Sequence, residues 1–196
     1  MSADRHTVLR SMHDIGLAAW FGGNLMGALG VNGAAAAAHD PTERTRLSSV
    51  GWAAWAPAQA VAIGAHLIGS VGMARADRGR VATQDGAGAN TVVKTLLTAV
   101  ALGTSLASGL AGAKAAKGSP APAAGATEPN ADTPGDVASA QGLLKPLQWV
   151  NPALTGTLIA LAAQQGEQQR TAPAVLSGLW GQSLTSARSA VRSALH

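Results

Sequence analysis

Two imidazoles are the first residues whose type invites chemistry. His13 and His66 lie in or beside long apolar stretches, and imidazoles projecting from facing helices ligate haem iron or a transition metal. Their placement argues against it. His13 sits at a helix mouth beside Asp14, while His66 is about two helical turns in from Arg75, so their depths match poorly. Neither has a second His at helical spacing, and His39 and His196 read as solvated. No metal and no cofactor is expected, and a haem or copper protein stays the weakest of three functional readings. Hydrolytic or group-transfer chemistry needs a nucleophile with a base, or paired carboxylates. All 10 acids lie outside the apolar stretches, no Ser has a His or acid at useful spacing, and there is no Cys. The chain does not read as an enzyme.

Among the polar residues inside the apolar stretches, Asn24, Gln59, His66 and Asn151 stand out. In lipid such groups cost energy unless they find partners, which makes them the candidates for function. Interhelical hydrogen bonds that fix register, each worth on the order of 1 kcal/mol, account for them most simply. A small transporter or channel subunit with a path along Asn24, Gln59 and His66 is the alternative. Proton-driven transport usually places a carboxylate or Lys in the membrane, and none of the four stretches holds one.

The elements that carry these residues follow from the charge map. Of 196 residues 12% are charged and 47% apolar, with 3% aromatic, 24 Gly and no Tyr. A soluble core of this size would bury bulky aromatics, whereas helices in lipid pack through small residues. Four stretches lack Asp, Glu, Lys and Arg: 15–38 (24 residues), 47–74 (28), 95–113 (19) and 146–166 (21). Each meets the roughly 20 residues needed to cross a hydrocarbon core of about 30 Å. Pro57 and Pro152 predict kinks in the second and fourth, and the fourth helix is expected to start near Leu143–Pro146. A secretory signal is the rival for the first stretch, given Arg5, Arg10 and the A-x-A sites of Ala34–Ala38, but the apolar run exceeds the usual signal core. A soluble Ala-rich helical protein is the rival for the whole.

Between the stretches, the segment 118–136 (GSPAPAAGATEPNADTPGD) has no apolar periodicity and is expected to be disordered. Residues 1–170 therefore read as one bundle. In 171–196, Thr171 and Pro173 open a further helix, and Leu176, Leu179, Trp180, Leu184, Ala187, Val191 and Leu195 form its apolar stripe. With Trp180, Arg188 and Arg192 it reads as an amphipathic helix on the membrane surface, or as one packed on the bundle or a partner. With the N-terminus inside, the inner segments carry nine of the 14 Lys and Arg and the outer ones five, which places both termini in the cytoplasm. The basic residues form no face carrying aromatics, so no nucleic-acid partner is expected.

Gly23 and Gly27, Ala60 and Gly64, Ala65 and Gly69, Gly103 with Ala107 and Ala111, and Gly156 and Ala160 fall in small-x-x-x-small patterns that permit close helix packing. HDIGLAAWFGGNLMGALGVNGA and LQWVNPALTGTLIALAA together resemble a group of small actinobacterial-type multi-pass membrane proteins. His13, Trp20, Gly22 and Gly23, with Phe21 between, are similar in the first helix alone to copper-resistance D-like membrane proteins, although Met clusters and further intramembrane His are missing. Neither resemblance implies a particular activity. The expectation is an all-α integral membrane protein of the plasma (inner) membrane: a four-helix transmembrane bundle with a C-terminal amphipathic helix. It would act as a structural or accessory component through helix–helix association, with the lipid bilayer and a second copy or a membrane-complex partner around it.

Overall fold

A computed structural model of the chain describes the backbone at residues 2–76 and 87–194, and side chains at 6–76 and 91–164. Among the described residues it is all-helical. The order is α1 (Ser2–Met26), a π-helical turn (Gly27–Val31), α2 (Asn32–Ala36), α3 (Pro41–Ala76), α4 (Ala87–Lys117) and α5 (Gly135–Ala194). α3 and α4 are long and apolar enough to cross a membrane, with 18-residue windows of mean hydropathy 1.2 and 1.6. By internal contacts the chain divides into two units, Met1–Ile159 and Ala160–His196.

Local chemistry sets the element ends. Asp40 accepts hydrogen bonds from the Thr42 N–H and hydroxyl, both at 2.8 Å, which caps α3. Pro41 fills the first helical position, where a missing N–H costs nothing, and Glu43 adds an acid to the first turn. Hydrogen bonding to Thr42 is the main reason the Asp40 carboxyl lies below the ordinary carboxylate range. The helix then runs through Pro57.

The first unit holds together by close approach of α1 and α3. A Cβ on Gly16 would lie 2.5 Å from the Ala62 carbonyl oxygen, and one on Gly69 would lie 2.5 Å from the His13 nitrogen. Larger side chains would push these backbones apart, so glycine is what lets α1 and α3 touch. Gly23 and Gly27 instead receive the indole rings of Trp55 and Trp52. Leu17, Trp20, Ala62, Ala101 and Leu158 form the buried cluster, drawn from α1, α3, α4 and α5.

Three expectations are corrected. The segment expected to be disordered is folded against the starts of α3 and α5: Ala121, Ala123 and Thr127 are buried. Part of its polar backbone is bonded within the segment, by Glu128 and Asn130, and part from outside it. The Thr45 hydroxyl donates to the Ala121 carbonyl and accepts from the Ala121 N–H. Arg44 donates to the carbonyls of Ala123 and Ala124, and Gln141 to those of Gly125 and Ala126. A segment poor in large apolar groups orders when its neighbours complete its hydrogen bonds. Second, the last helix begins at Gly135, ahead of Leu143, with the Asp136 carboxylate accepting from the Val137 N–H in its first turn. Third, α5 is continuous to Ala194, so no separate helix starts at Thr171–Pro173. The side chains of Trp180, Arg188 and Arg192 lie outside the described residues.

Candidate functional site

The interior of the first unit is polar in places where its exterior is apolar. His13, Asn24, Asn32, Ser48, His66, Ser105, Asn151 and Thr155 are buried. Val61, Ile68, Leu96, Leu106 and Leu110 are each at least 58% exposed. Only 17% of the apolar window is buried in α3, and the same share in α4. The core helix of a water-soluble protein would hide such a window.

Three groups make up the interior. In the first, the His13 and His66 rings meet with centroids 4.5 Å apart and planes tilted by 43°, and His66 also meets the Trp20 ring at 6.0 Å. The mismatch of depth expected from the sequence is thus corrected. The Gly16 and Gly69 contacts set α1 against α3 in a register that brings the two imidazoles level. His13 Nδ1 is 2.7 Å from Asp14 Oδ1, and His66 Nδ1 is 3.3 Å from the His13 carbonyl oxygen. His66 Nε2 is buried with no hydrogen-bond partner among the described residues. No group of three or more His, Cys, Asp or Glu able to hold a metal ion occurs among the described residues.

The second group centres on Asn151 of α5. Its Oδ1 accepts from the Thr104 hydroxyl at 2.6 Å and the Ser105 hydroxyl at 3.3 Å, and its Nδ2 donates to Ser108 Oγ at 3.0 Å. Ser105 in turn accepts from the Trp20 indole N–H at 3.2 Å. One carboxamide therefore ties α5 to α4, and through Ser105 to α1. Ser, Thr and Asn with small neighbours bond in this way across helices in an apolar setting.

The third group surrounds Asn32, directly after the π turn. Asn32 Oδ1 accepts from the Trp52 indole N–H at 2.8 Å, and the Ser48 hydroxyl lies at 3.4 Å. Its Nδ2 donates to Gln148 Oε1 at 2.9 Å, and Gln148 Nε2 reaches Thr127 Oγ1 at 3.1 Å. From His13 to Asn32 the helical rise is about 28 Å, close to the thickness of a hydrocarbon core.

The residues singled out from the sequence are thus used differently. His66 and Asn151 sit at the centres of groups. Asn24 donates to the Trp20 carbonyl of its own helix, and Gln59 accepts from Trp55 one turn away on α3. None of the hydrogen bonds made by Asn24, Gln59 and His66 joins one of them to another. Gly23, Gly27 and Gly69 lie at close contacts, and a Cβ on Gly156 would stand 3.2 Å from the Phe21 ring, while Gly64 and Gly103 face open space. Sequence reasoning missed Gly16, Ser105 and Asn32. Asn32 carried the same signal as Asn24, a polar residue within the first apolar stretch. Ser105 carried none, because hydroxyls are common in helices and can bond to their own backbone.

An open apolar groove of about 540 Å³ also runs along α1 and α3, with Gly16, Ala19, Ala62 and Ala65 among its lining and Trp55 at one end. Comparison of the chain with protein-family models, with curated proteins and with solved structures gave no match.

Proposed function

We propose that this chain is a four-span integral membrane protein that serves as a structural or accessory component, working through helix–helix association and catalysing no reaction. The observation that carries this reading is the inversion of polarity: large apolar side chains outside and hydrogen-bonded polar side chains inside. Large apolar side chains exposed at so many positions along α3 and α4 are unusual for a water-exposed monomer. Lipid removes the cost of that surface and makes the internal hydrogen bonds the means of holding register. α3 and α4 supply two spans; α1 with α2, and the part of α5 near 146–166, supply the other two. The polar side chains of the Asn151 and Asn32 groups are occupied with one another, which suits a scaffold.

The nine-to-five bias of Lys and Arg puts both termini in the cytoplasm and the 118–134 segment outside. Reporter fusions test this. Fusions after Gly86 and after His196 should read cytoplasmic, and one at Asp132 extracytoplasmic. A cytoplasmic signal at Asp132 would reverse the orientation, and a pattern that fails to alternate would remove the four-span count. Capture from native membranes in mild detergent then tests the accessory role. A defined complex or a homo-oligomer supports it. Recovery as a lone monomer that conducts ions or solutes after reconstitution would replace it with a transporter.

A further inference from the structure

The π turn at Gly27–Val31 is where the first long helix changes register, and its consequence can be worked out from buried positions. Upstream, His13, Gly16, Leu17, Trp20, Asn24, Gly27 and Ala28 are buried and share one face. In an unbroken α-helix, at about 100° per residue, Asn32 would stand roughly 100° away from His13 around the axis. Asn32 is nevertheless buried and bonded to Trp52 and Gln148. The wide turn, closed by the Asn32 N–H to the Gly27 carbonyl, takes up one extra residue and returns Asn32 to the inner face. The extra residue is held in a sequence with little bulk, Gly-Ala-Leu-Gly-Val, whose Leu29 is 59% exposed.

We propose that this turn is a two-position hinge. In the position seen here the slack is held in the π turn and Asn32 is locked inward. In the other, the turn relaxes to α-helical hydrogen bonding and α2 rotates by about a quarter turn, drawing Asn32 away from Trp52 and Gln148. Gln148 holds Thr127 through its other carboxamide atom, Nε2, so the rotation takes away the Asn32 bond that steadies the side chain reaching the 118–134 segment. The hinge therefore couples the register of α1 to the fastening of that segment. It rests on the fold alone and does not depend on the accessory role.

The chain has no Cys, so spin labels can be placed at will. Gly33, where a side chain would meet open space, and exposed Leu143 are suitable sites. Pulsed dipolar spectroscopy on the full-length Gly33→Cys, Leu143→Cys chain in lipid nanodiscs should show a main distance and a minor one. Asn32→Ala, which removes the lock, should raise the minor population roughly fivefold. Deleting Leu29 should remove the slack, keep Asn32 on the inner face and leave the main distance alone. Deleting Ala18, in the regular part of α1, should instead disrupt folding. A single distance that Asn32→Ala does not change would overturn the hinge, as would a Leu29 deletion that folds no better than the Ala18 deletion.

Discussion

A single methyl group at position 16 should force α1 and α3 apart. A Cβ there would stand 2.5 Å from the Ala62 carbonyl oxygen, 2.6 Å from the His66 backbone nitrogen and 3.2 Å from the Ala65 Cβ. The first two are atoms of a helical backbone and have no rotamer to adopt. Reaching an ordinary separation of about 3.5 Å requires the helices to move by about 1 Å. Overpacking of this kind costs about 1–3 kcal/mol, and the higher helix propensity of Ala returns up to about 1 kcal/mol. The net loss for Gly16→Ala is therefore about 1–2 kcal/mol. Gly103→Ala is the matched control, because its Cβ would meet open space; only the propensity term applies, a gain of up to about 1 kcal/mol. The two variants should thus differ by about 1–3 kcal/mol, in opposite directions from the parent. Reversible denaturant unfolding in mild detergent measures the difference. If Gly16→Ala were as stable as Gly103→Ala, the close backbone contact and the registration of His13 with His66 would both be wrong.

Other substitutions separate interior groups from surface ones. Asn151→Ala removes the acceptor of two hydroxyls and the donor to Ser108, and should lower stability by about 1–2 kcal/mol in the same unfolding experiment. Gln59→Ala, whose one bond is within its own helix, should cost about 0.5 kcal/mol or less. Thr45→Val deprives Ala121 of both backbone partners, so limited proteolysis should cleave within 118–134 markedly faster than in the parent. The lowered pKa of Asp40 reflects hydrogen bonds made by its carboxylate. Its contribution is thus present above the ordinary carboxylate value and is lost as pH falls through the lowered folded value. Asp40→Asn keeps a capping oxygen and should flatten that acid limb in a pH series of thermal unfolding.

The helical class and the long uncharged stretches were legible because they depend on composition and spacing alone. Asn151 was legible for the same reason: a carboxamide among apolar residues must find partners somewhere. Which partners it finds depends on how α4 lies against α5, and the hydroxyls of Thr104, Ser105 and Ser108 give no sign of that in sequence. His13 and His66 were misjudged in depth because register between two helices is set by where backbones can touch. Gly16 looked no different from Gly22, a position where a Cβ would meet nothing. The 118–134 segment was misjudged because its order is supplied by Arg44, Thr45 and Gln141, residues outside it. The π turn leaves no trace in the pattern except that Asn32 falls off the face set by His13 and Trp20.

The central claim is that the apolar exterior faces lipid, and site-directed spin labelling tests it most directly in a chain free of Cys. Single Cys labels at Val61, Val100 and Leu106, all more than half exposed, should in bilayers be readily relaxed by oxygen. They should be shielded from a water-soluble nickel chelate. Labels at Asp132 and Ser139, beyond the expected spans, should respond in the opposite sense. Equal accessibility of Val61, Val100 and Leu106 to the nickel chelate would show that this surface meets water, and would contradict the membrane-spanning bundle.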